Sequence, residues 1–232
     1  MDNAPIPENL APVVEAKWPT IDKPLLRGWL HLGAAPLVLI AGMVLMVFAP
    51  TLAGRVSSGI FALTSVMLFG TSAVYHRGNW SPKAQAVLRR MDHANIFLII
   101  AGTYTPLVVI LLDGTTRILV LVLVWVGAIF GMVFRILWLN APRWMYVPLY
   151  VAMGWVAIGY IKPFYYAGGP AVVWLIAAGG LCYTVGAIIY GFKWPGPSAR
   201  YFGFHEIFHS LTVAGFTCHY IATAIAVFNA QN

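Results

Sequence analysis

Residues 117–135 read "RILVLVLVWVGAIFGMVFR", an uncharged run bracketed by Arg117 and Arg135, and this stretch decides the class of the fold. Its length is near that of a membrane-spanning helix, for which roughly 20 apolar residues cross the hydrocarbon core. Comparable runs occur at about 30–50, 56–75, 93–112, 144–162, 170–191 and 205–228. The reading is therefore an all-α integral membrane protein, a bundle of seven transmembrane helices. Composition agrees: 60% of the 232 residues are hydrophobic, 9% are charged, and the mean hydropathy is +0.80. That balance excludes a soluble globular domain. The sixth run is punctuated by the turn "AGGP" (167–170) before it and "KWPGP" (193–197) after it.

The formal charge is +7, but the cations stand singly between apolar runs and form no basic stripe, so nucleic acid is not an expected partner. Topology explains them better. Alternate sides of seven spans receive 11 and 3 Lys or Arg, the smaller set being Arg55, Arg117 and Lys162. The positive-inside rule then puts the N-terminus in the cytoplasm and the C-terminus outside. Trp29, Trp138, Trp144 and Trp194 lie near run ends, as interfacial belts require. Residues 1–28 hold charges and five prolines, without an apolar signal-peptide core, and read as a flexible cytoplasmic arm; residues 29–232 form the membrane domain. Cys182 and Cys218 lie in apolar runs and read as small hydrophobes. Oligomeric state leaves no mark, because lipid-facing and helix-facing apolar surfaces look alike in sequence.

With the topology set, the polar residues can be ordered by depth. His76 ends the second span on the cytoplasmic side, Asp92 begins the third there, and His205 and His209 open the seventh in "FHEIFHS" (204–210). Ser72 precedes His76 by four residues, and His205 precedes His209 by four, so each pair shares a helix face. Ser72, His76, Asp92, His205 and His209 thus fall in one thin layer at the inner leaflet. A single histidine at a helix end is ordinarily an interfacial residue; three at one depth with an acid and a serine are not. His76, His205 and His209 suit a tetrahedral Zn2+ with its fourth position open. Asp92 is placed to hold a bound water or a ligand histidine, and Ser72 to donate or accept a supporting hydrogen bond. His31 is read as an interface anchor, His93 as pointing about 100° from Asp92, and His219 as a mid-span polar contact. All three are left out of the metal shell.

The stretches "SAVYHR" (72–77), "MDHANIFLIIAGTYTP" (91–106) and "HEIFH" (205–209) resemble the haemolysin III proteins, bacterial members of the progestin and adipoQ receptor group. The likeness spans roughly residues 25–228. This group belongs to a wider seven-helix set that includes alkaline ceramidases. The resemblance implies a zinc held by His76, His205 and His209, with Asp92 beside the zinc-bound water, Ser72 as the second-span serine, and a cytoplasmic N-terminus. It favours a membrane lipid as substrate or ligand and a multi-pass place in the bacterial inner membrane.

These readings give an expected activity: zinc-dependent hydrolysis of an acyl-amide or ester bond of a membrane lipid at the cytoplasmic leaflet, with Asp92 and Ser72 as the catalytic side chains. Residues 102–106, Gly-Thr-Tyr-Thr-Pro, are expected to break or kink the third helix and shape an acyl cavity. "HEIFH" also matches the H-E-x-x-H pattern of zinc proteases, with Glu206 as a reserve base. An intramembrane protease would need an acidic third ligand, whereas this chain offers His76. A non-catalytic zinc-stabilised receptor is the main alternative. A pore-forming toxin ranks last, since no span carries a continuous polar stripe.

Overall fold

The structure is a computed structural model; it describes residues 24–195 and 201–230. The arm through residue 23 and Arg200 lie outside the described residues, with their share of the charge asymmetry. Among the described residues there is no strand. The helices are α1 (Trp29–Phe48), α2 (Leu52–Arg77), α3 (Pro82–Leu111), α4 (Gly114–Leu137), α5 (Arg143–Gly154), α6 (Ile161–Phe192) and α7 (Phe204–Phe228), with a 3-10 turn, Trp155–Tyr160, joining α5 to α6.

The run that decides the fold class becomes α4, and its packing shows how a uniformly apolar helix acquires an inside. Val120, Val124, Ala128, Gly131 and Arg135 recur at helical spacing and are buried, whereas Leu119, Val126, Phe130 and Val133 face outward. Apart from Arg135, the inward side chains are small and the outward ones mostly large, as expected where helices associate through close packing rather than through exclusion of water. Gly131 shows why: a Cβ there would lie 2.3 Å from Phe97 of α3. Gly102 of α3 is as constrained, with a Cβ falling 1.9 Å from Thr64 Oγ1 of α2.

The starts of α2 and α3 are capped by short polar side chains. Thr51 Oγ1 accepts from the N–H of Gly54 at 3.0 Å, and Ser81 Oγ from that of Ala84 at 3.3 Å with Pro82 at the first helical position. Trp29, Trp138, Trp144 and Trp194 are all substantially exposed at run ends.

Among the described residues, six helical runs are long and apolar enough to cross a membrane. The expectation of seven separate spanning runs differs at one place: Arg143–Phe192 is a continuous 50-residue run in which α5, the 3-10 turn and α6 follow without a loop. A straight helix of that length would measure about 75 Å, more than twice the hydrocarbon core. It is not straight, because Gly169 leaves the helical region at φ 79 and ψ 176 just before Pro170, within the "AGGP" turn signal. At Trp155–Tyr160 the break costs little, since Tyr104 of α3 repairs it: its hydroxyl donates to Gly154 O at 2.7 Å and accepts from Ala157 N at 2.8 Å. The expected break in α3 at residues 102–106 does not occur. The helix continues through Pro106 to Leu111, and the irregular backbone lies in the neighbouring chain segment that Tyr104 contacts.

Candidate metal centre

Three helix ends build the site. α2 brings Ser72 and His76 in its last turns, α3 brings Asp92 about three turns in from Pro82, and α7 brings His205 and His209 in its first two turns. Asn95, one turn beyond Asp92, fixes the α2–α3 register. Its Nδ2 donates to Met67 O at 2.9 Å and to Thr71 Oγ1 at 3.1 Å, and the side chain is buried. Sequence reading passed over Asn95, because an asparagine inside an apolar run reveals its partner only after packing.

The three histidines meet. His76 Nε2 lies 3.2 Å from His205 Nε2, and one ring nitrogen from each of His76, His205 and His209 falls within 4.8 Å of the others. Tetrahedral zinc with nitrogen ligands at about 2.0–2.1 Å places those nitrogens roughly 3.3 Å apart, so the imidazoles fit such an ion with small ring adjustments. Imidazole nitrogens also suit copper, iron and nickel, so the donor set alone does not select zinc. The cluster is well shielded, His209 being 3% exposed and the His76 side chain 7%.

Asp92 reaches the same cluster, its Oδ2 lying 3.9 Å from His76 Nε2. Ser72 is buried beside it, with its hydroxyl facing the Asp92 carboxylate. Behind these groups a partly open cavity of about 120 Å³ runs along α3 from Asp92 toward Leu107 and Phe164, and its walls are mainly apolar.

Other polar residues fall differently. Glu206, a reserve base in the sequence, is 1% exposed and has both oxygens engaged: Oε1 pairs with Arg27, and Oε2 accepts from Gly203 N at 2.8 Å. It anchors the start of α7 between the two histidines. Arg27, at the end of the stretch read as a flexible arm, is its partner, and residues 24–28 form a turn packed on the bundle. His31 is not an interface anchor but is 2% exposed, with its ring stacked on that of His209. The buried stripe His31, Ala34, Val38, Gly42 and Leu45 has helical spacing, but in an all-apolar segment that periodicity offers no contrast. His93 lines the same cavity but stays outside the three-histidine group, its Nδ1 2.7 Å from Arg89 O, and His219 pairs with Ile176 O at 3.1 Å as a mid-span polar contact. Cys182 and Cys218 are free and half-buried.

A family model described as haemolysin-III related matches residues 20–220. The chain belongs to this family. Within it, the Hemolysin-3 homolog of Bacillus subtilis (strain 168) is 34% identical over 160 residues, which is 69% of this chain and 72% of the relative. Hemolysin-3 of Bacillus cereus is 33% identical over 140 residues, 60% of this chain and 64% of that relative. The haemolysin-III match takes in α1 through α6 and most of α7, so every residue of the histidine cluster lies inside it.

Proposed function

We propose that the chain is a zinc-dependent hydrolase of the bacterial inner membrane that cleaves an acyl-amide or ester bond of a membrane lipid at the cytoplasmic leaflet. The observation that carries this reading is the convergence of His76, His205 and His209 beside an acid at the head of an apolar cavity. A zinc ion held by the three imidazoles supplies a Lewis acid for a carbonyl and lowers the pKa of a water.

The chain's own groups do the rest. Asp92 takes the proton from a water aligned on the scissile carbonyl and returns it to the departing amine or alcohol, so that a free fatty acid and the remaining headgroup part separate. The Ser72 hydroxyl, buried beside Asp92, is available to hold that carboxylate or the substrate carbonyl in place. From Asp92 to Leu107 the cavity follows α3 for about 22 Å, enough for much of an acyl chain. Its apolar lining supports a lipid tail over a peptide and does not favour a water-filled pore.

The same reading divides the Arg143–Phe192 run at Gly169, within α6, into two crossings. The protein then has seven spans, a cytoplasmic N-terminus and the histidine cluster at the inner leaflet. Support comes from the φ of Gly169, from the length of Arg143–Phe192 and from the 11-to-3 partition of cations.

The first test is metal content by elemental analysis of detergent-purified protein, comparing wild type with His76→Ala and His209→Ala. About one zinc per chain, lost in both variants, is the expected result and leads to a hydrolysis screen over ceramides, lysolipids and phospholipids. Wild type free of zinc, or zinc that survives His76→Ala, would sink the three-histidine site.

A further inference from the structure

The beginning of α1 touches the histidine cluster from three directions, and the proposed chemistry uses none of these contacts. His31 lays its imidazole flat on that of His209, with ring centroids 3.8 Å apart and planes 3° from parallel. Phe69 of α2 closes the pocket edge-on to His31 at 4.9 Å. The neighbours of His31 in the pocket are thus the rings of His209 and Phe69 together with the His209 backbone. Three residues earlier, Gly28 adopts φ +81, and a Cβ there would stand 2.7 Å from the Cβ of His76. Arg27 completes the set by pairing with buried Glu206, which sits between the two histidines of α7.

We infer that the start of α1 is the positioning element of the metal centre and that His31 is its positioning residue, holding the plane of the His209 ring by stacking. This inference rests on the reading of His76, His205 and His209 as metal ligands. The terminal torsion of a histidine is soft, so an unsupported ring would sweep its nitrogens through a wide arc. His205 and His76 are held partly by each other. For His209, the flat face of His31 restricts rotation, and the tight approach of Gly28 keeps His76 from drifting toward α1. Groups that orient a metal ligand without touching the ion typically change metal affinity by about 10- to 100-fold when removed.

The test is Zn2+ affinity, measured by competition with a chelator on the full chain in detergent, for four variants alongside wild type. His31→Ala removes the stack and weakens zinc binding by about 10- to 100-fold. His31→Phe keeps a flat ring over His209 and restores the affinity to within about threefold of wild type. Gly28→Ala, strained at its φ and colliding with His76, weakens binding independently of the stack. Leu45→Ala opens a cavity at a fully buried position about four turns further along α1. It lowers the melting temperature while leaving zinc affinity unchanged, which separates positioning from general loosening. His31→Ala that binds zinc as wild type does, or His31→Phe as weak as His31→Ala, or Leu45→Ala as weak as either, would overturn the inference while the three-ligand reading stands. Wild type that takes up no zinc overturns both.

Discussion

Asp92 and Glu206 are both acids beside the histidine cluster, and their environments give them different work. Asp92 has an oxygen 3.9 Å from a ring nitrogen of His76 and opens to the cavity, whereas Glu206 is engaged by Arg27 and the Gly203 N–H. Asp92→Asn keeps the shape and removes the proton acceptor. On the hydrolase reading it retains about one zinc per chain and loses lipid turnover by about 10²- to 10⁴-fold, measured as fatty acid released per minute. If zinc is only structural, both metal and output survive the change, and the receptor reading takes over. Glu206→Gln should retain zinc and keep turnover within about threefold. It should unfold more easily, by about 1–3 kcal/mol in a detergent denaturation series, because Arg27 loses its anionic partner while the Gly203 contact can persist. Peptide cleavage abolished by Glu206→Gln, with lipid turnover untouched, would instead point to a protease. "HEIFH" thus carries two kinds of information: its histidines share a face and reach the cluster, and its glutamate holds the helix end. Spacing predicts the first, but the second depends on Arg27, 179 residues away in the chain.

At the scale of elements, the decisive feature is how irregular backbone is tolerated inside a bundle. The 3-10 turn at Trp155–Tyr160 is held from two sides, by Tyr104 of α3 and by Trp155 Nε1, which donates to Thr184 Oγ1 of α6 at 2.8 Å. Freed backbone groups in an apolar setting need such partners. Tyr104→Phe removes both hydrogen bonds of the hydroxyl and should cost about 1–3 kcal/mol of stability, read as a lower midpoint of thermal unfolding. Gly131→Ala tests the α3–α4 contact: the added methyl meets Phe97 at 2.3 Å, and overpacking should cost about 1–3 kcal/mol by the same measurement. The sequence marked "GTYTP" as special, and it is: α3 runs on unbroken, but Thr103 and Tyr104 line the cavity and Tyr104 serves a neighbouring segment. Turn signals report that a residue is unsuited to regular structure; they do not say which segment yields.

For the molecule as a whole, the open quantity is the number of crossings made by Arg143–Phe192. Replacing Cys182 and Cys218 by Ala and placing single cysteines at Ser81, Asp113 and Ala230 would read it by labelling intact cells with a membrane-impermeant maleimide. With two crossings and a cytoplasmic N-terminus, Asp113→Cys and Ala230→Cys label from outside and Ser81→Cys only after lysis. A single crossing would move Ala230→Cys to the inside with Ser81→Cys. The two-crossing pattern also fixes the leaflet of the histidine cluster, because Ser81 opens the helix that carries Asp92, whereas a single crossing would put His205 and His76 at opposite faces, against their 3.2 Å approach.

What the sequence by itself determined is whatever depends on composition and local spacing. Uncharged runs near span length, turn signals at 167–170, and pairs of polar residues four apart were enough for the class of fold and for His76, His205 and His209 as a set. Depth ordering worked because a membrane reduces the placement of helix ends to two surfaces. Only the tertiary structure decided which face of each helix turns inward, since in lipid-facing sequence both faces are apolar and periodicity carries little contrast. That is why His31 read as an anchor and stands buried against His209, why Arg27 read as part of a loose arm and holds Glu206, and why Asn95 drew no notice. Each of these roles is defined by a partner on another helix, and such a pairing exists only once the bundle has closed.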